Sequence, residues 1–211
     1  MTVSHTRTVL LWLGAVGQGI ALRWGFHNPS RFWPLVTAGL VGSGLLVGPR
    51  REESPQQPDR RWVAVGAAAG LGAFGLTALV SVVVARVPIG RRWLAEVGAS
   101  TGAVSRPAAA ALVVPCALAE ELFWREGVLS RTGTAQSWTA LCRHTVAYAA
   151  VQGASLNPLP VCGGVLLGAL TGLLRQRSGS LLPALAAHLV YSELTLVVPG
   201  LPAQRSPRDT P

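Results

Sequence analysis

Residues 62–85 read WVAVGAAAGLGAFGLTALVSVVVA, twenty-four consecutive positions without a charge, closed at either end by Arg61 and Arg86. Wound as a helix at 1.5 Å per residue this stretch covers about 36 Å, more than the roughly 30 Å of a bilayer's hydrocarbon. The glycines and alanines follow no two-residue alternation, so a barrel strand is excluded. Six further apolar runs lie outward from this one, at residues 9–22, 32–48, 107–130, 138–154, 159–174 and 181–198. Together the seven claim most of the 211 residues, half of which are hydrophobic and only 13% charged, against about 25% in ordinary soluble domains. In lipid every backbone polar group must find its partner within a helix or a closed barrel. The expectation is an all-α, polytopic transmembrane bundle of about seven spans, with six to eight compatible with the runs.

The segments between the runs divide the chain. Residues 1–105 read as amino-terminal transmembrane helices, with a polar loop at 49–61 (RREESPQQPDRR over 50–61) and an interfacial segment at 86–106 that carries Pro88, Arg91, Arg92 and Glu96 beside Trp93, Leu94 and Val97. Residues 106–198 form a core of four spans, with a turn at Asn157-Pro158 and a short RQRSGS loop at 175–180; residues 199–211 are a polar tail. The first run resembles a secretory signal in length, but no small-residue cleavage site precedes a polar mature domain. It reads as an uncleaved span.

The net charge of +9 comes from 18 arginines and no lysine, set singly or in pairs between the apolar runs. That is the placement of interfacial anchors, and it excludes a nucleic-acid surface. The arginines divide evenly between the two sides and so set no orientation. Arginine-only usage reflects genome composition and fits a bacterial plasma membrane. Cys116, Cys142 and Cys162 have no paired metal spacing and read as small buried side chains. Gly164, Gly168 and Gly172 recur every four residues, as do Gly66 and Gly70, which suits close helix approach.

Charge inside the fourth run is the anomaly. AEELFWREG places Glu120, Glu121 and Arg125 where insertion costs about 2.5 to 3.5 kcal/mol per charged residue. Glu121 and Arg125, four apart, share a helix face and can pair, while Glu120 points about 100° away. A buried carboxylate without a cation is held ready to accept a proton, which a general base near neutrality requires. The last run carries His188 near its middle and Ser192 one turn later on the same face. Measured from Arg177 and Arg131, His188 and Glu120 both lie about 16 Å deep, and Gln152 about 14 Å deep from Arg143 on the same side. Three polar groups from three helices meet at one level.

The ordered strings E-E-x-x-x-R at 120–125, aromatic-x-x-x-polar from Tyr148 to Gln152, and SGSLLPALAAH ending at His188 resemble the CAAX-protease and bacteriocin-processing family of intramembrane glutamic endopeptidases. The resemblance covers about residues 106–198. It implies hydrolysis of a peptide bond in a membrane-anchored peptide or a carboxyl-terminal sorting segment, without metal or other cofactor. Glu120 would activate water, His188 would stabilise the oxyanion, and Arg125 would hold Glu121 in place. Gln152 stands where the family has a histidine assisting the base, and Ser192 where it has an asparagine donor. His144, about 12 Å from Gln152 along the helix, is too far to substitute. The implied partners are a membrane-embedded peptide or protein substrate and the lipid bilayer. Two other readings stay open on the residues alone: a degenerate member serving as a membrane scaffold or immunity protein, and a proton-coupled transporter. A metal site is disfavoured, because Glu120 and Glu121 diverge on their helix and no second histidine lies near.

Overall fold

The computed structural model describes residues 2–47, 60–131 and 137–197, and every regular element among them is helical. In chain order these are α1 (Thr2–His27), α2 (Phe32–Val47), α3 (Arg60–Val84), α4 (Pro88–Thr101), α5 (Arg106–Glu121), α6 (Trp138–Gln152), α7 (Pro158–Ser178) and α8 (Leu182–Val197). The polar stretch at 49–59 and the tail from 199 lie outside the described residues. Among the described residues five segments are long and apolar enough to cross a membrane: Thr6–His27, Pro29–Val47, Arg60–Val84, Arg106–Val128 and Pro158–Ser178. The chain is an integral membrane protein, a polytopic helical bundle.

All seven apolar runs fold as helices, but two are shorter than a crossing needs. α6 has 15 residues and α8 has 16, about 22 to 24 Å at the helical rise. A 3-10 turn at Gly153–Ser155 ends α6, and α8 starts only at Leu182, beside a proline suited to a helix's first turn. The run at 159–174 is instead longer than its apolar residues suggest. α7 continues through the expected loop to Ser178, where Gly179 adopts φ 69° and returns its N–H to the Arg175 carbonyl. Only glycine takes that left-handed cap without strain. The interfacial segment forms α4, docked by Asn157, whose Nδ2 donates to the Trp93 carbonyl at 2.9 Å and to Glu96 Oε2 at 3.0 Å. The Asn157 Oδ1 caps α7 by accepting the Leu159 N–H at 3.0 Å.

Between membrane helices the drive to associate is close packing rather than escape from water, and the two glycine series supply it. A Cβ on Gly66 would collide with the backbone of Pro183, and one on Gly70 with that of Ala187, so α3 lies directly against α8. Gly164, Gly168 and Gly172 do the same for α7 on α6, facing Ala149 and Gln152, Thr145 and Tyr148, and Leu141 and His144 in turn. Replacing Gly70 by Val is expected to separate α3 from α8 and destabilise the bundle by about 1 to 3 kcal/mol, the usual cost of overpacking. Unfolding of the purified protein in detergent measures it, and an unchanged midpoint would mean the two helices are not held by this contact.

α2 packs on α5 through Phe32, Trp33, Val36 and Leu40 against Val113, Cys116 and Ala119. Outward-facing side chains such as Trp12, Leu79 and Val83 are apolar and exposed, as expected for a surface wetted by lipid. The cysteines correct the sequence reading: Cys116 is buried, but Cys142 and Cys162 are exposed. A small apolar thiol gains nothing by turning inward when the surroundings are themselves apolar.

Candidate active site

α5 does not end in a cap. Past Pro115 and Glu121 the chain widens into a π-helix over Leu122–Val128 and closes with a 3-10 turn at Leu129–Arg131. Such π segments occur mostly as single-turn bulges within α-helices and are frequent at functional sites. This one carries Arg125 and Glu126 directly after the glutamate pair, and all four charged side chains are buried, Glu121 and Arg125 completely.

Charges so placed are tolerated only when paired. Arg125 Nε lies 3.1 Å from Glu121 Oε2. Its Nη2 donates to the Leu167 carbonyl at 3.2 Å and to the Thr171 hydroxyl on α7, and its guanidinium sits 4.9 Å from the centre of the Tyr148 ring. Glu126 is paired separately, at 2.6 Å, with Arg175 Nε. The second Glu121 oxygen lies 2.8 Å from His188 Nδ1. His188 Nε2 then faces Glu120 Oε2 at 3.5 Å, so one imidazole from α8 bridges both carboxylates of α5. A proton on Nδ1, donated to Glu121, fixes the ring and leaves Nε2 toward Glu120. The other Glu120 oxygen accepts the Tyr148 hydroxyl at 3.1 Å.

Two cavities meet at this pair. One, about 230 Å³, is lined by Glu120, His188, Tyr148, Gln152, Gln18 and Tyr191 among others. The second, about 210 Å³, is lined by Glu120, His188, Tyr191 and Ser192 together with Trp33 and Cys116. Glu120 and His188 thus stand in the partition. Of the residues singled out from sequence, Glu120, Glu121, Arg125 and His188 come together in one chain of contacts. Gln152 lines the first cavity and Ser192 the second. His144 does not line either cavity; it stacks behind Tyr148 with ring centroids 6.4 Å apart. Among the described residues no group of three or more His, Cys, Asp or Glu side chains is arranged to hold a metal ion.

Sequence reasoning missed the contribution of the amino-terminal helices. Gln18 of α1, 1% exposed, accepts from Trp124 Nε1 at 2.9 Å and donates to Ser43 Oγ on α2 at 2.6 Å. It bridges three helices at the edge of the first cavity. Gln18 and Ser43 interrupt apolar runs, and polar side chains within spans commonly hydrogen-bond across helices; that was the available signal. Thr171, Glu126 and the Tyr148 hydroxyl were likewise not assigned a part.

Residues 103–193 match the family described as type II CAAX prenyl endopeptidase, Rce1-like, the same family that the three strings resemble. Searches of curated proteins and of solved structures gave no match.

Proposed function

From the premise that residues 103–193 are a domain of the Rce1-like family of type II CAAX prenyl endopeptidases, a family of intramembrane endopeptidases, we propose that this chain hydrolyses a peptide bond near the end of a membrane-anchored peptide. The observation that supports this most is the facing pair of Glu120 and His188, 3.5 Å apart, which lines two cavities of about 230 and 210 Å³.

In this reading Glu120 takes a proton from water as the water oxygen attacks the scissile carbonyl carbon. Ser192 donates to the oxygen that becomes negative, as does His188 in the form that carries a proton on Nε2 as well as on Nδ1, and preorganised donors of this kind are each worth about 100 to 1,000-fold in rate. When the carbon–nitrogen bond breaks, Glu120 returns the proton to the leaving amine. Arg125 neutralises Glu121, and Glu121 holds the His188 ring. Gln152 orients the attacking water. Residues 106–198 carry this machinery, and residues 1–105 contribute walls through Gln18, Leu22, Val36 and Leu40. The arginine-only basic residues fit a bacterial plasma membrane.

The test is the full chain in proteoliposomes, given a quenched fluorescent peptide that ends in a lipidated cysteine and three further residues, with products identified by mass. Cleavage at one bond, unaffected by chelators, is expected; loss of activity with a chelator would point to a metal instead. Gln152→His is expected to preserve or raise hydrolysis, since it restores a side chain able to carry a proton. A second reading, a non-catalytic scaffold or immunity protein, is favoured by Gln152 and Ser192 in place of the family's histidine and asparagine. An inactive wild type with no gain from Gln152→His would decide for that reading.

A further inference from the structure

Glutamine can donate a hydrogen bond but cannot take up or release a proton, so Gln152 leaves the base without the support that the family's histidine would give. The α6 side chain that touches Glu120 stands one turn earlier. Tyr148 donates its hydroxyl to Glu120 Oε1 at 3.1 Å. We infer that Tyr148 is a positioning residue for the base, its hydroxyl holding one oxygen of Glu120 so that the other faces His188 and the reacting water. This inference rests on the endopeptidase reading above and gives a part to the hydroxyl of the aromatic residue that opens the second string.

The ring is held firmly enough for that role. It is 2% exposed, lies edge-on to Trp124 at 5.3 Å, is stacked on His144 at 6.4 Å, and meets the Arg125 guanidinium at 4.9 Å. On its remaining side it faces Gly168 of α7, where an added Cβ would come within 3.0 Å of Tyr148 Cδ1. A side chain confined by four neighbours presents its hydroxyl in one place, with no ordering cost left for the transition state. A buried tyrosine placed only for packing would also seek a partner for its hydroxyl. The two roles differ in what removal of the oxygen does to turnover.

Tyr148→Phe keeps the ring and removes that hydrogen bond. In the proteoliposome assay kcat is expected to fall about 10- to 100-fold, the range for a hydrogen bond to a charged group, with KM unchanged. In the Gln152→His background the same substitution is expected to cost little, because the histidine can then hold Glu120; the double-mutant cycle reads that coupling. Wild-type kcat in Tyr148→Phe, an effect confined to KM, or equal losses in both backgrounds would overturn the inference. If the Phe variant folds poorly, 3-fluorotyrosine at position 148 keeps shape and hydroxyl but donates more strongly, and should move the pH profile of kcat while leaving KM unchanged; a profile identical to the wild type overturns the inference. Glu120→Gln separates the two levels. No hydrolysis in the wild type defeats the endopeptidase reading itself, and retained hydrolysis in Glu120→Gln defeats Glu120 as its base, whereas a dead Glu120→Gln beside a fully active Tyr148→Phe defeats only this inference.

Discussion

Glu120→Gln is expected to abolish hydrolysis, lowering kcat by about 100- to 10,000-fold, the span attributed to a positioned general base. The substitution is conservative in shape. Its carbonyl oxygen can still accept the Tyr148 hydroxyl that Glu120 Oε1 accepts at 3.1 Å, and an amide facing His188 Nε2 can donate to the neutral imidazole. Folding should therefore be retained, and unfolding in detergent beside the kinetic assay separates loss of chemistry from loss of structure. What the amide cannot do is receive a proton from water. A variant that keeps more than a tenth of the wild-type rate would show that the proton goes elsewhere, and Glu120 would lose its assigned part.

Arg125→Met should have the largest effect on stability. Glu121 and Arg125 are completely buried and 3.1 Å apart. Removing one member of a buried ion pair leaves the other charge uncompensated, at a cost of about 3 to 5 kcal/mol. The loss extends further here, because Arg125 also joins the π segment to α7 through the Leu167 carbonyl and the Thr171 hydroxyl. Neutralising the orphaned carboxylate should recover part of it. The double variant Glu121→Gln/Arg125→Met is expected to unfold later than Arg125→Met alone, since replacing a whole buried pair is far less costly than breaking it. Chemical unfolding of the three proteins in one detergent is the measurement. A single variant as stable as the wild type would mean that the pair does not hold the centre together.

Both expectations trace to features that could be read from the chain before any coordinates. Spacing of four set Glu121 opposite Arg125, and helical rise counted from Arg131 and Arg177 brought Glu120 and His188 to one depth. Distances of 3.1 and 3.5 Å bear out that geometry. Depth does not determine azimuth, however. In a soluble helix the apolar stripe marks the buried face, whereas in a membrane helix the lipid-facing and packed sides are both apolar. Which helices are neighbours was therefore hidden. The bridge from Gln18 to Trp124 spans 106 positions in sequence, and nothing in either apolar run distinguishes the side of α1 that meets the π segment. For the same reason Cys142 and Cys162 could not be told from Cys116. The lengths of α6 and α8 were obscured because their ends are set by turns, the 3-10 turn after Gln152 and the start at Leu182, rather than by where hydrophobic residues cease. The separation of Gln152 and Ser192 into different cavities depends on helix rotation and could not be read from depth either.

The partition formed by Glu120 and His188 has a bearing on traffic. If the proposed hydrolysis takes place at this pair, it can be approached from both cavities, so an arriving chain and a departing fragment need not share one doorway. If water comes from the Gln152 side and the peptide lies along the Ser192 side, the order in which they arrive matters little, and the shorter fragment can leave without the longer one first backing out.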